Sequence, residues 1–144
     1  MENMSKLHIS TDREALDVPL IHAFLSERST WAIGIPRATV ERAITHSLCF
    51  GAYLNGRQVG FARVTTDRAT FAYLADVFVV EEARGKGVGK ALLEAVLAHP
   101  DLQGLRRFML ATSDGHELYA RYGFTAPSRP ATLMERYFPN IYAN

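Results

Sequence analysis

Residues 71–98 decide the fold, and they read FAYLADVFVVEEARGKGVGKALLEAVLA. The first part is apolar and rich in aromatic and β-branched residues, which is typical of a strand, and the last part has the apolar spacing of an amphipathic helix. A glycine-rich turn lies between them: Arg84, Gly85, Lys86, Gly87, Val88, Gly89 and Lys90. The first amides of a helix lack intrahelical partners and lie at the positive end of its dipole. The junction therefore predicts an anion site, and we expect the anion to be a phosphate.

Length, composition and charge narrow the class of protein. With 144 residues, 48% of them hydrophobic, the chain can bury a core, and we expect a single domain over 1–144 with its core at about 6–135. A net charge of +1 gives no general case for nucleic-acid binding. The single cysteine, Cys49, excludes an internal disulfide and predicts a small buried hydrophobe in a reducing cytoplasm. No histidine spacing suggests a metal, and no apolar run is long enough to cross a membrane, so we expect a cytoplasmic protein without either.

The apolar patterns predict alternating strands and helices. Strand-like runs occur at 6–11, 49–54, 58–65, 71–80, 107–111 and 133–136, and helical spacing occurs at 17–27, from 39 onward, after the glycine turn and at 114–122. Asn55-Gly56 is a strong hairpin signal because both turn positions need positive φ. Together with a turn at 66–69, it predicts three consecutive antiparallel strands. We expect an α/β (α+β) fold with a mixed, mostly antiparallel central sheet flanked by about four helices.

Polar residues, prolines and glycine predict the ends of the helices. Asp17 caps the first helix, and Pro100 stops the third because the residue before a proline avoids the helical region. Asp114 with Glu117 three residues later forms a capping box for the last helix, and Gly123 ends it.

Three phosphate-loop patterns compete for the glycine turn. The nucleotide P-loop needs glycine at Arg84 and serine or threonine at Ala91, and the dinucleotide fingerprint needs a different glycine spacing and parallel crossover strands. The pattern Arg-x-x-Gly-x-Gly fits, through Arg84, Gly87 and Gly89. With Tyr119 followed by Gly123-Phe124, the chain resembles the GNAT superfamily of N-acetyltransferases over about Lys6 to Glu135.

The resemblance implies acetyl-coenzyme A as the acyl donor. Its pyrophosphate would bind the turn from Arg84 to Lys90, and its pantetheine arm would lie along the backbone of Phe78 and Val79. Tyr119 matches the family's general acid, and a phenol with a pKa of about 10 is protonated at neutral pH. Many members have an asparagine seven residues before this tyrosine. Here Thr112 stands at that position, so Thr112 or Ser113 is expected to replace it, while Asp114 is needed as the helix cap.

Asp76 is the candidate general base, because it lies three residues before Val79 on the coenzyme strand. Alternation along a strand places it on the same face as Leu74 and Phe78, opposite Val77 and Val79. An alternative stays open, in which Asp76 is a buried carboxylate tied to a neighbouring loop.

The connection between the first two helices is unusually apolar. Trp31, Ile33 and Ile35 either line the acceptor site, as the resemblance implies for this region, or pack into the core.

The resemblance implies an acetyl-coenzyme A dependent N-acetyltransferase that acts by direct attack in a ternary complex. The acceptor is a primary amine of a small molecule or peptide, with no nucleic acid or membrane partner, and the sequence leaves a homodimer open. Two alternatives remain: a transferase with another acyl donor or a hydroxyl acceptor, and a non-catalytic acyl-CoA-binding sensor or interaction module.

Overall fold

The computed structural model describes residues 6–143. Within them, five strands form one sheet: β1 (Leu7–Ser10), β2 (Leu48–Leu54), β3 (Arg57–Thr66), β4 (Phe71–Val79) and β5 (Arg107–Leu110). The same residues form four α-helices: α1 (Val18–Ala23), α2 (Arg37–Thr45), α3 (Val88–Ala98) and α4 (His116–Ala120). A π-helical turn at Phe24–Arg28 extends α1. None of the described helices is both long and apolar enough to cross a membrane.

The strands lie in the order β1-β2-β3-β4-β5. The first four pair antiparallel, and β4 pairs parallel with β5. At the β2–β3 turn, Asn55 has φ 55° and Gly56 has φ 80°, so the local signal for a hairpin is confirmed. The mixed, mostly antiparallel sheet with about four helices is confirmed as well.

A β-bulge interrupts β4. Phe61 lies opposite Phe78 and Arg63 opposite Ala75, so one residue of β3 faces two residues of β4 between these pairs. One of the two bulged residues, Asp76, has φ 55°, in the left-handed region that aspartate tolerates better than most residues. The bulge therefore reverses the alternation of side chains at this point of the strand.

Because of the bulge, the side chains of β4 are distributed between the two faces of the sheet differently from what the alternation predicted. Leu74 and Val77 line a common cavity beneath α3, whereas Phe78 stacks on Phe24 with ring centroids 4.0 Å apart. The prediction that Asp76, Leu74 and Phe78 share a face was wrong, because it assumed an unbroken strand. Only Phe71–Leu74 of β4 pair with β5 in the described structure, so the second half of β4 has an open edge.

Three local predictions need correction. Helix α2 begins at Arg37 rather than Thr39, because the carbonyl of the extended Pro36 already accepts the amides of Thr39 and Val40. Helix α4 begins after Gly115 and has no side-chain cap, so Asp114 is not its cap.

The expected strand at residues 133–136 does not form. A strand needs a paired neighbour, and within residues 6–143 β5 pairs only with β4. Met134 is 96% exposed, which fits a segment that packs against no sheet.

The glycine Gly60 brings α3 close to the sheet. A Cβ on Gly60 would lie 3.0 Å from Val88 Cγ1 and 3.1 Å from Leu92 Cδ1. Both side chains belong to α3 and are buried in the hydrophobic core. The missing side chain of Gly60 thus sets where the glycine turn meets β4.

Candidate active site

The glycine turn forms a tight loop that leads into α3. Gly85 and Gly87 both have φ 80°, which favours glycine because other residues pay a steric cost there. Gly87 is the residue before α3, and its carbonyl accepts the amide of Ala91 at 3.0 Å. The Nε of Arg84 donates to the carbonyl of Val79 at 3.1 Å, which ties the loop to the end of β4.

The backbone amides of this loop lack hydrogen-bond partners within the described structure, which is typical of an anion site. Among the hydrogen bonds of residues 6–143, none is donated by an amide from Gly85 to Lys90. The first turn of the 11-residue α3 holds no acidic side chain. Within the described part of the chain, no carboxylate lies within 4.0 Å of Arg84, Lys86 or Lys90. Free amides, a helix dipole and free cations are typical of an anion site, and the binding of a phosphate here stays a prediction.

A groove leads from this loop to Tyr119. A cavity of about 40 Å³ lies between β4, α3 and α4. Its lining comprises Ala62, Leu74, Val77, Gly89, Leu92, Leu93, Val96, Leu118 and Tyr119. Gly89 at the start of α3, Val77 of β4 and Tyr119 of α4 therefore meet around one small cavity.

Tyr119 is half-buried and held by its neighbours. Its ring meets Phe124 edge to face, with centroids 6.0 Å apart, and a Cβ on Gly115 would lie 3.1 Å from Tyr119 Cε2. Its hydroxyl makes no hydrogen bond to residues 6–143. Burial, and then the negative charge of Asp114, raises the pKa of this phenol above its ordinary value. Tyr119 thus presents a protonated, unpartnered hydroxyl at neutral pH.

Tyr122 differs from Tyr119 in this respect. Its hydroxyl donates a hydrogen bond to Glu94 Oε2 at 2.9 Å, on the exposed side of α3. The sequence spacing singled out Tyr119 over Tyr122, and the geometry separates the two tyrosines in the same way.

Thr112 lies at the start of the turn before α4. Its Oγ1 accepts the amide of Gly115, the residue before α4, at 2.8 Å. Ser113 is exposed beside it. The hydroxyl of Thr112 still has a proton to donate, so its role toward the coenzyme stays a prediction, as does that of Ser113.

Asp76 is bonded through both carboxylate oxygens. Oδ1 accepts the indole N–H of Trp31 at 2.8 Å, and Oδ2 accepts Nε of Arg63 at 2.8 Å. The side chains of Asp76 and Arg63 are only 12% and 21% exposed. The open alternative of a carboxylate tied to a neighbouring loop is what the structure shows, while a role as general base stays a prediction.

Sequence reasoning missed Arg63. An arginine in the middle of the otherwise apolar β3 was the available signal, because a half-buried cation in a strand needs an anionic partner. The partner, however, comes from the neighbouring strand and follows only from the register.

The apolar connection divides between the two expected roles. Ile35 is 8% exposed and packs into the core, whereas Trp31 and Ile33 are 53% and 62% exposed. Trp31 and Ile33 are thus free to contact a ligand, and Ile35 is not. Among the described residues, no cluster of three histidine, cysteine or acidic side chains is arranged to hold a metal ion.

The fold and the site of the described residues are those expected of an acyltransferase: a sheet that opens at a bulge, a glycine loop with unpartnered amides at the N-terminus of a helix, and a tyrosine with an unpartnered hydroxyl nearby. Comparison with known proteins agrees. The model of the acetyltransferase (GNAT) family matches residues 18–124. The chain belongs to this family.

Individual relatives support the assignment. A protein of the fungus Gibberella zeae named as an acetyltransferase is 36% identical over 135 residues, which cover 78% of this chain and 75% of that protein. A crystal structure from Xanthomonas campestris pv. campestris, described as an acetyltransferase of the GNAT family, is 63% identical with a TM-score of 0.95. That match covers 98% of this chain and 99% of the other.

A more distant structure shows the fold alone. Glucosamine-6-phosphate N-acetyltransferase from Arabidopsis thaliana is 17% identical, with a TM-score of 0.64 over 92% of this chain and 99% of that one. Its substrate is therefore no guide to the acceptor of this protein.

Proposed function

We propose that this acyltransferase uses acetyl-coenzyme A to acetylate a primary amine of a small molecule or peptide by direct attack in a ternary complex. The observation that carries the proposal is the set of unpartnered amides from Gly85 to Lys90 beside the open edge of β4. The family membership supports it. The single domain expected over residues 1–144 and the cytoplasmic location also stay predictions.

The residues of the loop fit a diphosphate. Amides at the start of α3 would donate to its oxygens, and Lys86 and Lys90 would add charge-assisted contacts. Each exposed interaction of an anion with a helix terminus contributes ~0.3–1 kcal/mol, so several amides acting together are needed for tight binding. The positive φ values of Gly85 and Gly87 turn the backbone toward the ligand in a way that side-chain-bearing residues resist.

The open edge of β4 fits the extended arm of the coenzyme. Main-chain donors and acceptors on an unpaired strand edge bind an extended ligand as they would a further strand. The backbone of Phe78 and Val79 lies on this edge, between the loop and the bulge at Asp76.

Tyr119 is suited to the acid step. When bound, acetyl-coenzyme A supplies an activated acyl group. The amine nitrogen forms a bond to the acyl carbon, the carbon–sulfur bond breaks, and Tyr119 gives its hydroxyl proton to the departing sulfur. The amine loses a proton to solvent or a base, and Tyr119 is then reprotonated, so protons and charge balance.

A non-catalytic sensor and another acyl donor or acceptor are the competing functions. The unpartnered, half-buried hydroxyl of Tyr119 favours catalysis, because a purely structural tyrosine at this depth normally finds a hydrogen-bond partner.

Two measurements test the proposal. Acetyl-coenzyme A at 100 times its Kd should stabilise the folded protein by ~2.7 kcal/mol, whereas ATP and NAD should have little effect. Release of free coenzyme A with a panel of amines should fall roughly 100-fold or more in Tyr119→Phe. Tyr122→Phe, which alters the matched exposed tyrosine, should retain turnover. Absence of stabilisation by the coenzyme would overturn the phosphate-site assignment, and stabilisation without turnover on any amine would favour the sensor.

A further inference from the structure

We propose that Asp76 is a positioning residue that holds Trp31 as one wall of the acceptor site, and that the acceptor amine carries an aromatic or extended apolar group. The proposal rests on the transferase function above and specifies its substrate class. It concerns the array formed by Asp76, Trp31 and Arg63, which the coenzyme chemistry does not require.

Backbone strain is the first observation. Asp76 has φ 55° inside a strand, a conformation that persists only where surrounding contacts over-determine it. Those contacts are visible, since each carboxylate oxygen accepts a hydrogen bond of 2.8 Å from a different element. Strain of this kind at the edge of a binding groove suggests a functional constraint.

The bonding pattern is the second observation. Arg63 reaches Asp76 Oδ2 with its Nε and Ser47 Oγ with its Nη1 at 3.1 Å, so the guanidinium is itself fixed. The fixed guanidinium orients the carboxylate, and the carboxylate orients the indole of Trp31. Each oxygen already accepts a hydrogen bond from a donor on another element, so the carboxylate is held between Arg63 and Trp31. These contacts favour positioning over general base catalysis.

The location of Trp31 is the third observation. The indole is bonded to the bulge of β4, at the end of the open edge that the reactive end of the coenzyme would reach. It remains 53% exposed, and Ile33 of the same connection is 62% exposed. A large apolar side chain that is held in place and left uncovered beside a reaction centre is suited to stack on a ligand.

The charge at the wall formed by Trp31 affects which amines would bind there. The carboxylate that Trp31 contacts is neutralised by Arg63, so this wall presents no free negative charge to a second ammonium group. A polyamine would therefore find no ion-pair partner in Asp76, whereas an aromatic or long alkyl substituent would be desolvated against the indole. The acceptor is therefore a monoamine with an apolar body.

Trp31 is the single tryptophan of the chain, so its fluorescence reports on this wall directly. Protein saturated with coenzyme A is titrated with phenethylamine, hexylamine, ethanolamine and spermidine. Saturable changes in Trp31 emission are expected with phenethylamine and hexylamine at concentrations where ethanolamine and spermidine give none. Equal responses to ethanolamine and phenethylamine, or no response to either apolar amine, would overturn the proposal.

Kinetics of Asp76→Asn, Trp31→Ala and Trp31→Phe distinguish positioning from base catalysis. For phenethylamine, we expect KM to rise roughly tenfold in Trp31→Ala and less in Trp31→Phe, which keeps the ring but loses the N–H donor. Asp76→Asn should raise KM with kcat nearly unchanged and with the same pH dependence of kcat. The matched control is Glu41→Gln, which breaks the exposed Arg37–Glu41 pair on α2 and should leave both constants unchanged.

The outcomes separate this proposal from the function on which it rests. A large loss of kcat in Asp76→Asn, with loss of the acidic limb of the pH profile, would make Asp76 the base and overturn the positioning role. Should Asp76→Asn fail to fold, the two Trp31 variants decide the matter, because unchanged KM in both would overturn the proposal. Failure of the coenzyme to stabilise the wild type would instead contradict the proposed function.

Discussion

Substitution of Gly89 by alanine should raise stability and weaken coenzyme binding in the same variant. Gly89 lies in the first turn of α3, and its φ is not positive. A Cβ there would meet only Val79 Cγ2 at 3.8 Å, an ordinary contact. Because glycine costs ~0.5–1 kcal/mol relative to alanine within a helix, we expect Gly89→Ala to increase the free energy of unfolding by about that amount. The ligand-free melting temperature should rise by about 1–4 °C.

The effect on binding has the opposite sign. Gly89 lines the groove beside Tyr119, so the added methyl group projects where the diphosphate and arm of the coenzyme would pass. An overlap in a packed site costs ~1–3 kcal/mol, which corresponds to a rise in Kd of about 5- to 150-fold. Scanning calorimetry without ligand measures the first effect, and titration calorimetry with acetyl-coenzyme A measures the second.

The expected rise in stability and the expected loss of coenzyme affinity in Gly89→Ala together test the reasoning. A more stable variant with weaker binding shows that glycine is retained at this position for the ligand and not for the fold. An unchanged Kd would refute the close approach of the coenzyme to this backbone. A less stable variant would refute the account of open space around Gly89.

Four further predictions concern the core and the titrating groups. Gly60→Ala should lower the free energy of unfolding by ~1–3 kcal/mol in urea denaturation, since its Cβ would press on Val88 at 3.0 Å, and an unchanged midpoint would contradict this. Burial raises the pKa of the Cys49 thiol from 9.0 to about 11, so alkylation at pH 8 should be slow in the native protein and fast in urea. Because this folded-state pKa is raised, stability from Cys49 is fully present below pH 9.0 and is lost as the pH rises toward 11, which urea midpoints across this range measure. For Tyr119 the raised pKa keeps the acid protonated, so the alkaline limb of kcat should lie above about pH 10, and a limb well below that value would exclude Tyr119 as the acid.

Features set by a few neighbouring residues were predictable. Asn55-Gly56 specified a turn because few other pairs tolerate positive φ at both positions, and the structure has that turn. Gly85 and Gly87 marked the turn before α3 for the same reason, and the spacing from this turn to Tyr119 indicated the family that the comparison shows.

Features that depend on which of several groups forms a hydrogen bond were not predictable from the sequence. Asp114 fits a capping box in sequence, but Thr112 accepts the amide of Gly115 and the helix starts later. The run at residues 133–136 has strand-like composition and forms no strand, since it does not pair with the outer edge of β5, which in the described structure pairs only with β4. The secondary-structure preference of a short segment contributes little when a partner distant in the sequence determines which hydrogen bonds form.

The sequence by itself therefore predicted the family fold, the positive-φ glycine turn before α3 and the difference between Tyr119 and Tyr122. Only the tertiary structure decided the role of Asp76. A one-residue bulge places Leu74 on the opposite face of β4 from Phe78. The strand register brings Arg63 to the carboxylate of Asp76, and the loop residue Trp31 also contacts it. The reason is physical: backbone conformation follows largely from adjacent residues, whereas the partner of a charged side chain depends on strands and loops that meet only when the chain folds.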